Sequence, residues 1–374
     1  LYQLTRFPAG ALDLVNCGIA GDTAAGALRR LSWDILPTRP TVTTVMFAMN
    51  DVGLALYANG STSSDVLEER RAALNAYQQN MRALVGRLQG AGSRVVLLTP
   101  TIFDQTAELP AARQPGVENA LAACAEFVQR LGAEMGAVVV DVHEPMLRLN
   151  RELQLADPAF TLIGADRMHP GAPGHFAMAY WFLKAQQAPA EVARLAIDGE
   201  GARAVVCQNG TVEEIRRPGE HGIAFTWKAE ALPFPIDPDF APALHWVPFM
   251  ADLNQEILQV TALHPGDYAL RIDGMAVGVF SDRELARGVN LAEHPQTPQY
   301  QQALDVLRLV QEHRWHGAET LRNLALVEHQ TAPAEGQPCT LASIQPLYDR
   351  RMEQLYPGAL LTRARTDEEF TLDP

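Results

Sequence analysis

Serine is scarce and late in this chain. Seven occur in 374 residues, and none precedes Ser32; the others are Ser61, Ser63, Ser64, Ser93, Ser281 and Ser343. Cysteine is rarer still: Cys17, Cys124, Cys207 and Cys339 lie far apart without a C-x-x-C pair, which argues against a zinc site and for buried free thiols. Positive charge is short as well, with 30 Lys and Arg against 44 Asp and Glu, a net charge of −14. That balance argues against a nucleic-acid partner, which needs clustered cations. No apolar run approaches the ~20 residues of a membrane span. There is no internal repeat. What remains is an ordinary globular composition, 47% hydrophobic, long enough for two or more domains with a sizeable core.

Three short segments carry chemistry. Asp166-Arg167-Met168-His169-Pro170 sets a carboxylate three residues before a histidine. An Asp there can accept from one ring nitrogen and fix the tautomer while the other nitrogen takes a proton. Pro170 and Gly171 bend the chain and Pro173 can open a helix, so the pair sits on a loop braced by a helix start. Alone the pattern is weak, since a loop Asp–His pair without any catalytic role reads the same. Asn16-Cys17-Gly18-Ile19-Ala20-Gly21-Asp22-Thr23 follows the apolar run Leu12 to Val15 and precedes a helical pattern. Backbone N–H groups in such a turn can face a developing negative charge. Val42 to Phe47 reads as a buried strand ending in Ala48-Met49-Asn50-Asp51, which brings the Asn50 amide to the crevice where open α/β sheets bind ligands. The plainer alternatives are that Gly21 only allows a turn and that Asn50-Asp51 caps the next helix.

In this order, each at a strand end, the segments resemble the SGNH hydrolases, also called GDSL esterases and lipases. The likeness covers residues 1 to about 190. It implies an acyl-ester hydrolase. A serine would attack the ester carbonyl, His169 would take its proton and return it to the leaving alcohol, and Asp166 would orient the ring. The Gly21 N–H and the Asn50 amide would hold the oxyanion. The resemblance implies no metal or organic cofactor. Its substrates are small-molecule or carbohydrate acyl esters, and the extra C-terminal β module favours acetyl groups on carbohydrate. Two departures stand out. Ala48 replaces the usual glycine of the asparagine block. The Gly-Asp-Ser block, which belongs at the end of a first strand upstream of the glycine block, has no counterpart, because Leu1 to Leu14 contain no serine. The expectation is a truncated sequence whose missing front bore that strand, so that this chain itself is inactive. The rivals are a family member that lost its nucleophile and binds glycans without cleaving them, and a flavodoxin-like binding protein.

The expected fold class is α/β, a flavodoxin-like doubly wound parallel sheet with its first strand missing, followed by a C-terminal β-rich module and a helical tail. Strands are expected at 12–15, 42–47, 94–99 and 137–142, and helices at 22–33, 65–90, 116–135 and 174–187; with the absent strand the sheet would have five. After residue 190, strands are expected at 204–207, 222–227, 257–263 and in a hairpin over 268–280 turning at Asp273-Gly274. Helical periodicity returns at 297–327 and 341–356, before an acidic tail. The segments expected as domains are 1–195, 196–285 and 286–374. Asp104, Asp141, His143 and Glu144 follow strand ends and could line a pocket mouth, although capping and solvated turns suit most of them. His264-Pro265-Gly266 repeats the His169-Pro170-Gly171 tripeptide without an Asp before it and reads as a turn. Trp227, Trp246 and Trp315 read as core residues rather than sugar-stacking platforms.

Overall fold

Short β-branched runs between amphipathic helices build a parallel sheet that must be covered on both faces. The computed structural model describes residues 1–7, 11–58, 60–313 and 368–373. The chain divides into two units: Val15–Ala188 with Asp237–Val247, and Leu1–Leu14 with Pro189–Ile236 and Pro248–Pro374. Helix α1 (Tyr2–Arg6) belongs to the second unit. The first holds α2 (Ala24–Arg30), β1 (Val42–Val45), α3 (Ser64–Gly90), β2 (Arg94–Leu98), α4 (Val117–Met135), β3 (Val138–Val140), α5 (His143–Gln154) and α6 (Ala172–Ala185).

The three strands are parallel neighbours in the order β1-β2-β3, with Val45 opposite Leu97 and Leu97 opposite Val139. Their side chains alternate between two cores. Val95 and Leu97 join Tyr77, Met81, Leu84 and Leu88 of α3 and Leu121, Phe127 and Leu131 of α4. On the other face Val96 joins Val140 and Val142, with Trp181 and Phe182 of α6 against them. A strand covered twice has no polar face to show, which is why it reads as one apolar run. Helix α4 lies directly on β3 at Gly132, where a Cβ would stand 2.2 Å from Val139 Cγ2.

The expected strand over 12–15 is absent. Leu12, Leu14 and Val15 are in irregular backbone and about half exposed, at 46%, 54% and 53%. An apolar tetrad becomes a strand only beside a ladder partner, and among the described residues β1 pairs with β2 alone. Among the described residues the sheet therefore has three of the four strands expected within this chain. The helix expected over 22–33 stops at Arg30 and continues as a π-turn, Leu31–Ile35.

The second unit is a β-sandwich. Its strands are β4 (Glu191–Asp198), β5 (Arg203–Gln208), β6 (Gly210–Arg216), β7 (Ile223–Ala229), β8 (Gln255–Thr261), β9 (Asp267–Ile272), β10 (Met275–Ser281), β11 (Val289–Asn290) and β12 (Glu368–Asp373). Helices α7 (Phe249–Leu253), α8 (Asp282–Arg287) and α9 (Pro298–His313) join them. One sheet runs β10-β9-β12-β7-β6 and the other β11-β8-β4-β5. Between them Trp227, Phe225, Phe370, Leu270, Leu195 and Val260 are buried, with the Phe225 and Phe370 rings stacked at 5.0 Å. The expected hairpin turns at Asp273-Gly274. The acidic tail, in contrast, supplies β12, which pairs with β7 on one side and β9 on the other. The helix expected over 341–356 and Trp315 lie outside the described residues. Helix α1 is tied into this unit by Arg6, which donates to the Leu232 and Leu253 carbonyls and to Asn254 Oδ1. No helix among the described residues is long and apolar enough to cross a membrane.

Candidate active site

The glycine and asparagine blocks meet through hydrogen bonds. Gly21 takes the left-handed conformation, φ +75°, in the turn closed by Asp22 N–H to the Ile19 carbonyl. Thr23 then caps α2, its hydroxyl accepting from Gly26 N–H. Asp22 accepts from Thr23 N–H and pairs with Arg30, which also reaches Asp34. From the loop after β1, Asn50 Nδ2 donates to the Asp22 carbonyl at 3.0 Å. The next carboxylate, Asp51, accepts from Ala24 N–H at 2.9 Å and Ala48 N–H at 3.2 Å. The Asp51 carboxylate thus serves the helix before it in sequence, where the sequence alone suggested a cap for the helix after it. Burial raises its pKa above the ordinary carboxylate value, and backbone N–H donors partly offset this. The Gly21 N–H and the second N–H of the Asn50 amide carry no hydrogen bond among the described residues. Both are exposed positions. Ala48 is buried with φ +129°, a backbone that glycine adopts freely and alanine does not.

The Asp–His pair sits in a closed loop. Ile163 bridges Pro170, and Gly164 N–H donates to the His169 carbonyl at 2.7 Å. No side chain fits at Gly164, since a Cβ would lie 2.9 Å from that carbonyl oxygen. Asp166 Oδ1 accepts from Met168 N–H and His169 N–H, each at 3.0 Å, and Oδ2 lies 2.6 Å from His169 Nδ1. Partial burial would raise the Asp166 pKa, but the bonds from the His169 ring and the two N–H groups outweigh it and bring it to about 2. The side chains remain open to solvent, 51% for Asp166 and 73% for His169. Among the described residues Asp166 is the only side chain hydrogen-bonded to the His169 ring.

Both loops belong to the carboxyl end of the sheet. Residues 46–53 follow β1 directly, and the Asp166 loop is tied to the segment after β2 by Asp104 N–H donating to the Arg167 carbonyl. Met49 and Met168 pack against the same core cluster, as does Cys17 beside the glycine block. Among the described residues no serine is hydrogen-bonded to the His169 ring. Buried Ser93 shares a hydrogen bond with Thr43 at the amino end of the strands, and Ser281 caps α8 in the other unit. Ser61 bonds to Ser63, and Ser343 is outside the described residues.

The other residues considered from sequence are structural. Asp104 is buried and accepts from Thr106, Ala107, Asn150 and Gln154. Burial pushes its pKa up, yet these donors and Thr161 bring it to about 2. Asp141 caps α5, taking His143 N–H and Glu144 N–H. His143 is buried, 3.1 Å from Glu118 in an ion pair whose angle lies off the hydrogen-bond line. Burial lowers its pKa, but Glu118 and the Pro100 carbonyl carry it above the ordinary imidazole value. Trp227 is fully buried core, and Trp246 packs edge-on against Phe160. Among the described residues no group of three or more His, Cys, Asp or Glu could hold a metal ion. Arg167 is the residue that sequence reasoning passed over: it is wholly buried between the exposed Asp166 and His169.

Three comparisons bear on this site. The family model of the GDSL-like lipase/acylhydrolases matches residues 3–177. An acetylxylan esterase of Geobacillus stearothermophilus is 24% identical over 178 residues, 48% of this chain and 74% of that protein. The solved structure of a gut microbial diltiazem-metabolizing enzyme is 30% identical, with a TM-score of 0.84 over 100% of this chain and 92% of that one.

Proposed function

The chain belongs to the GDSL-like lipase/acylhydrolase (SGNH) family of acyl-ester hydrolases, and from that premise we propose that its Asp166, His169, Gly21 and Asn50 are the serine-free part of an ester-hydrolysing site. His169 is the general base and then the general acid, working through Nε2, while Asp166 holds Nδ1. The Gly21 N–H and the free Asn50 N–H receive the oxyanion. The observation that carries this reading is the 2.6 Å contact of Asp166 Oδ2 with His169 Nδ1, made by a carboxylate already fixed by two backbone N–H donors. A base needs this: one ring nitrogen committed and the other free toward solvent. The proposed substrates are acyl esters. Acetyl groups are supported by the acetylxylan esterase, whose likeness is confined to about half of this chain. The relative that shares the whole chain is named for a drug molecule, so a small-molecule ester is supported equally.

No serine is hydrogen-bonded to His169 among the described residues, and we propose that residues 1–374 alone do not turn over esters. That same observation favours one alternative, a protein of this family that binds acetylated glycans without cleaving them. The test is a polypeptide extended before Leu1 by an apolar strand ending in Gly-Asp-Ser, assayed on short-chain aryl acetates. His169→Ala is expected to remove most turnover, and Asn50→Ala to cost about 10²–10³ in kcat as one oxyanion donor is lost. Equal turnover in the extended protein and its His169→Ala variant refutes the base assignment. Calorimetric binding of acetylated xylo-oligosaccharides by 1–374, with no turnover in the extended form, establishes the alternative instead.

A further inference from the structure

We propose that Arg167 is a positioning residue: its buried guanidinium clamps the Asp166–His169 loop onto segment 104–111 and thereby holds the His169 ring in register with Asp166. The proposal rests on the reading of Asp166 and His169 as a working pair. Arg167 has φ +69°, the left-handed conformation of a turn, and its N–H closes that turn on the Gly164 carbonyl. There is an unusual division within four residues. Asp166 and His169 are largely exposed, whereas Arg167 is fully buried.

Inside, the guanidinium makes four hydrogen bonds, all to backbone carbonyls. Nε donates to the Ala111 carbonyl at 2.8 Å, Nη1 to those of Asp104 at 2.8 Å and Ala107 at 3.0 Å, and Nη2 to that of Leu109 at 2.9 Å. Its own backbone carbonyl accepts from Asp104 N–H at 3.1 Å, and its N–H donates to the Gly164 carbonyl at 2.8 Å. Four carbonyls spread over eight residues suit the rigid fork of an arginine, and a lysine ammonium cannot reach them all. The socket is fixed from behind by the Asp104 carboxylate, which holds the 104–107 turn and bonds to Asn150 and Gln154 of α5.

An exposed carboxylate–imidazole pair contributes little net attraction, because water screens it and two side chains lose freedom. A 2.6 Å contact at such a place is therefore imposed by the backbone that carries it. Met168 only packs against the core, whereas Arg167 ties this backbone to the interior by hydrogen bonds. Its role is thus distinct from catalysis: it touches neither substrate nor the reacting atoms.

The test is the tautomer of neutral His169 in 1–374, read from long-range proton–nitrogen correlations of histidine-labelled protein and assigned with His169→Gln. Asp166 should enforce the Nδ1–H form, and Asp166→Asn should lose that preference. Arg167→Lys should lose much of it while thermal unfolding still reports a folded protein. Asp104→Asn, which loosens the socket without touching Arg167, should act in the same direction and decides the matter if Arg167→Lys fails to fold. An unchanged tautomer in both folded variants, with a changed one in Asp166→Asn, overturns the clamp and leaves the pair standing. No response to Asp166→Asn overturns the pairing on which the proposal rests.

Discussion

Ala48 holds its φ of +129° because both of its peptide groups are committed: its N–H to Asp51 and its carbonyl to Val52 N–H at 3.0 Å. Such a conformation costs a non-glycine residue on the order of 1–3 kcal/mol. Glycine would remove the strain, at an entropic cost of about 0.5–1 kcal/mol. Ala48→Gly is therefore expected to raise stability by about 1 kcal/mol in urea unfolding, and a variant less stable than the parent disproves the strain. A second residue governs behaviour in acid. Asp104 has its pKa depressed to about 2, below the ordinary value of 3.8. The folded state releases this proton more readily than the unfolded one, so the stabilisation is complete above about pH 4 and disappears as pH falls toward 2. For this buried group it is on the order of 2 kcal/mol. Unfolding followed from pH 5 to pH 2 should show a shallower loss for Asp104→Asn than for the parent; parallel curves would remove Asp104 from the acid response.

At the scale of elements, hydrophobic period and motif position were legible where local preference and tertiary context agree. Strands 42–45, 94–98 and 138–140 and helices 64–90, 117–135 and 172–185 fall within a few residues of the expected spans. The Asp273-Gly274 hairpin turn was readable because its chemistry is local. Strand β4 was not, since Glu191 to Asp198 carries two alanines and an arginine and is made a strand by its neighbours β5 and β8. The charged β6 is an edge strand, and edges tolerate such residues. Leu12 to Val15 failed in the opposite sense: it has the composition of a strand and no partner. The site residues were legible as motifs, but Arg167 was not, because a buried guanidinium bound only to carbonyls leaves no periodic or charge signal. Contact between elements yields its own prediction. Gly132→Ala would press a methyl group against Val139, its Cβ falling 2.2 Å from Val139 Cγ2, and should cost about 1–3 kcal/mol as overpacking. Val139→Ala in the same chain should restore part of it. Additive losses in that double-mutant cycle would show that α4 and β3 do not meet there.

For the whole molecule the outer edge of β1 matters most. It is unpaired among the described residues, with Val42 43% and Met46 40% exposed, and Val15, 53% exposed, adds further apolar surface in the same unit. An edge with free N–H and carbonyl groups and apolar side chains templates association with other chains. In a flavodoxin-like order the first strand lies inside the sheet, beside the strand that here forms this edge. Residues 1–374 are accordingly expected to self-associate, as read by light scattering at micromolar concentration, and Thr44→Lys on the exposed edge should suppress this without lowering the unfolding temperature. Hydrolysis is a separate readout. Removing the serine from a hydrolase triad costs on the order of 10⁶ in kcat, so 1–374 should be inert toward aryl acetates whether or not it is kept monomeric. A fused strand ending in Gly-Asp-Ser should confer solubility and turnover together, since one segment covers the edge and delivers the nucleophile. Solubility without turnover would mean that the edge is covered but the serine misses His169. Robust turnover by monomeric 1–374 would mean that another side chain attacks the ester, and the serine-free reading of this site would be wrong.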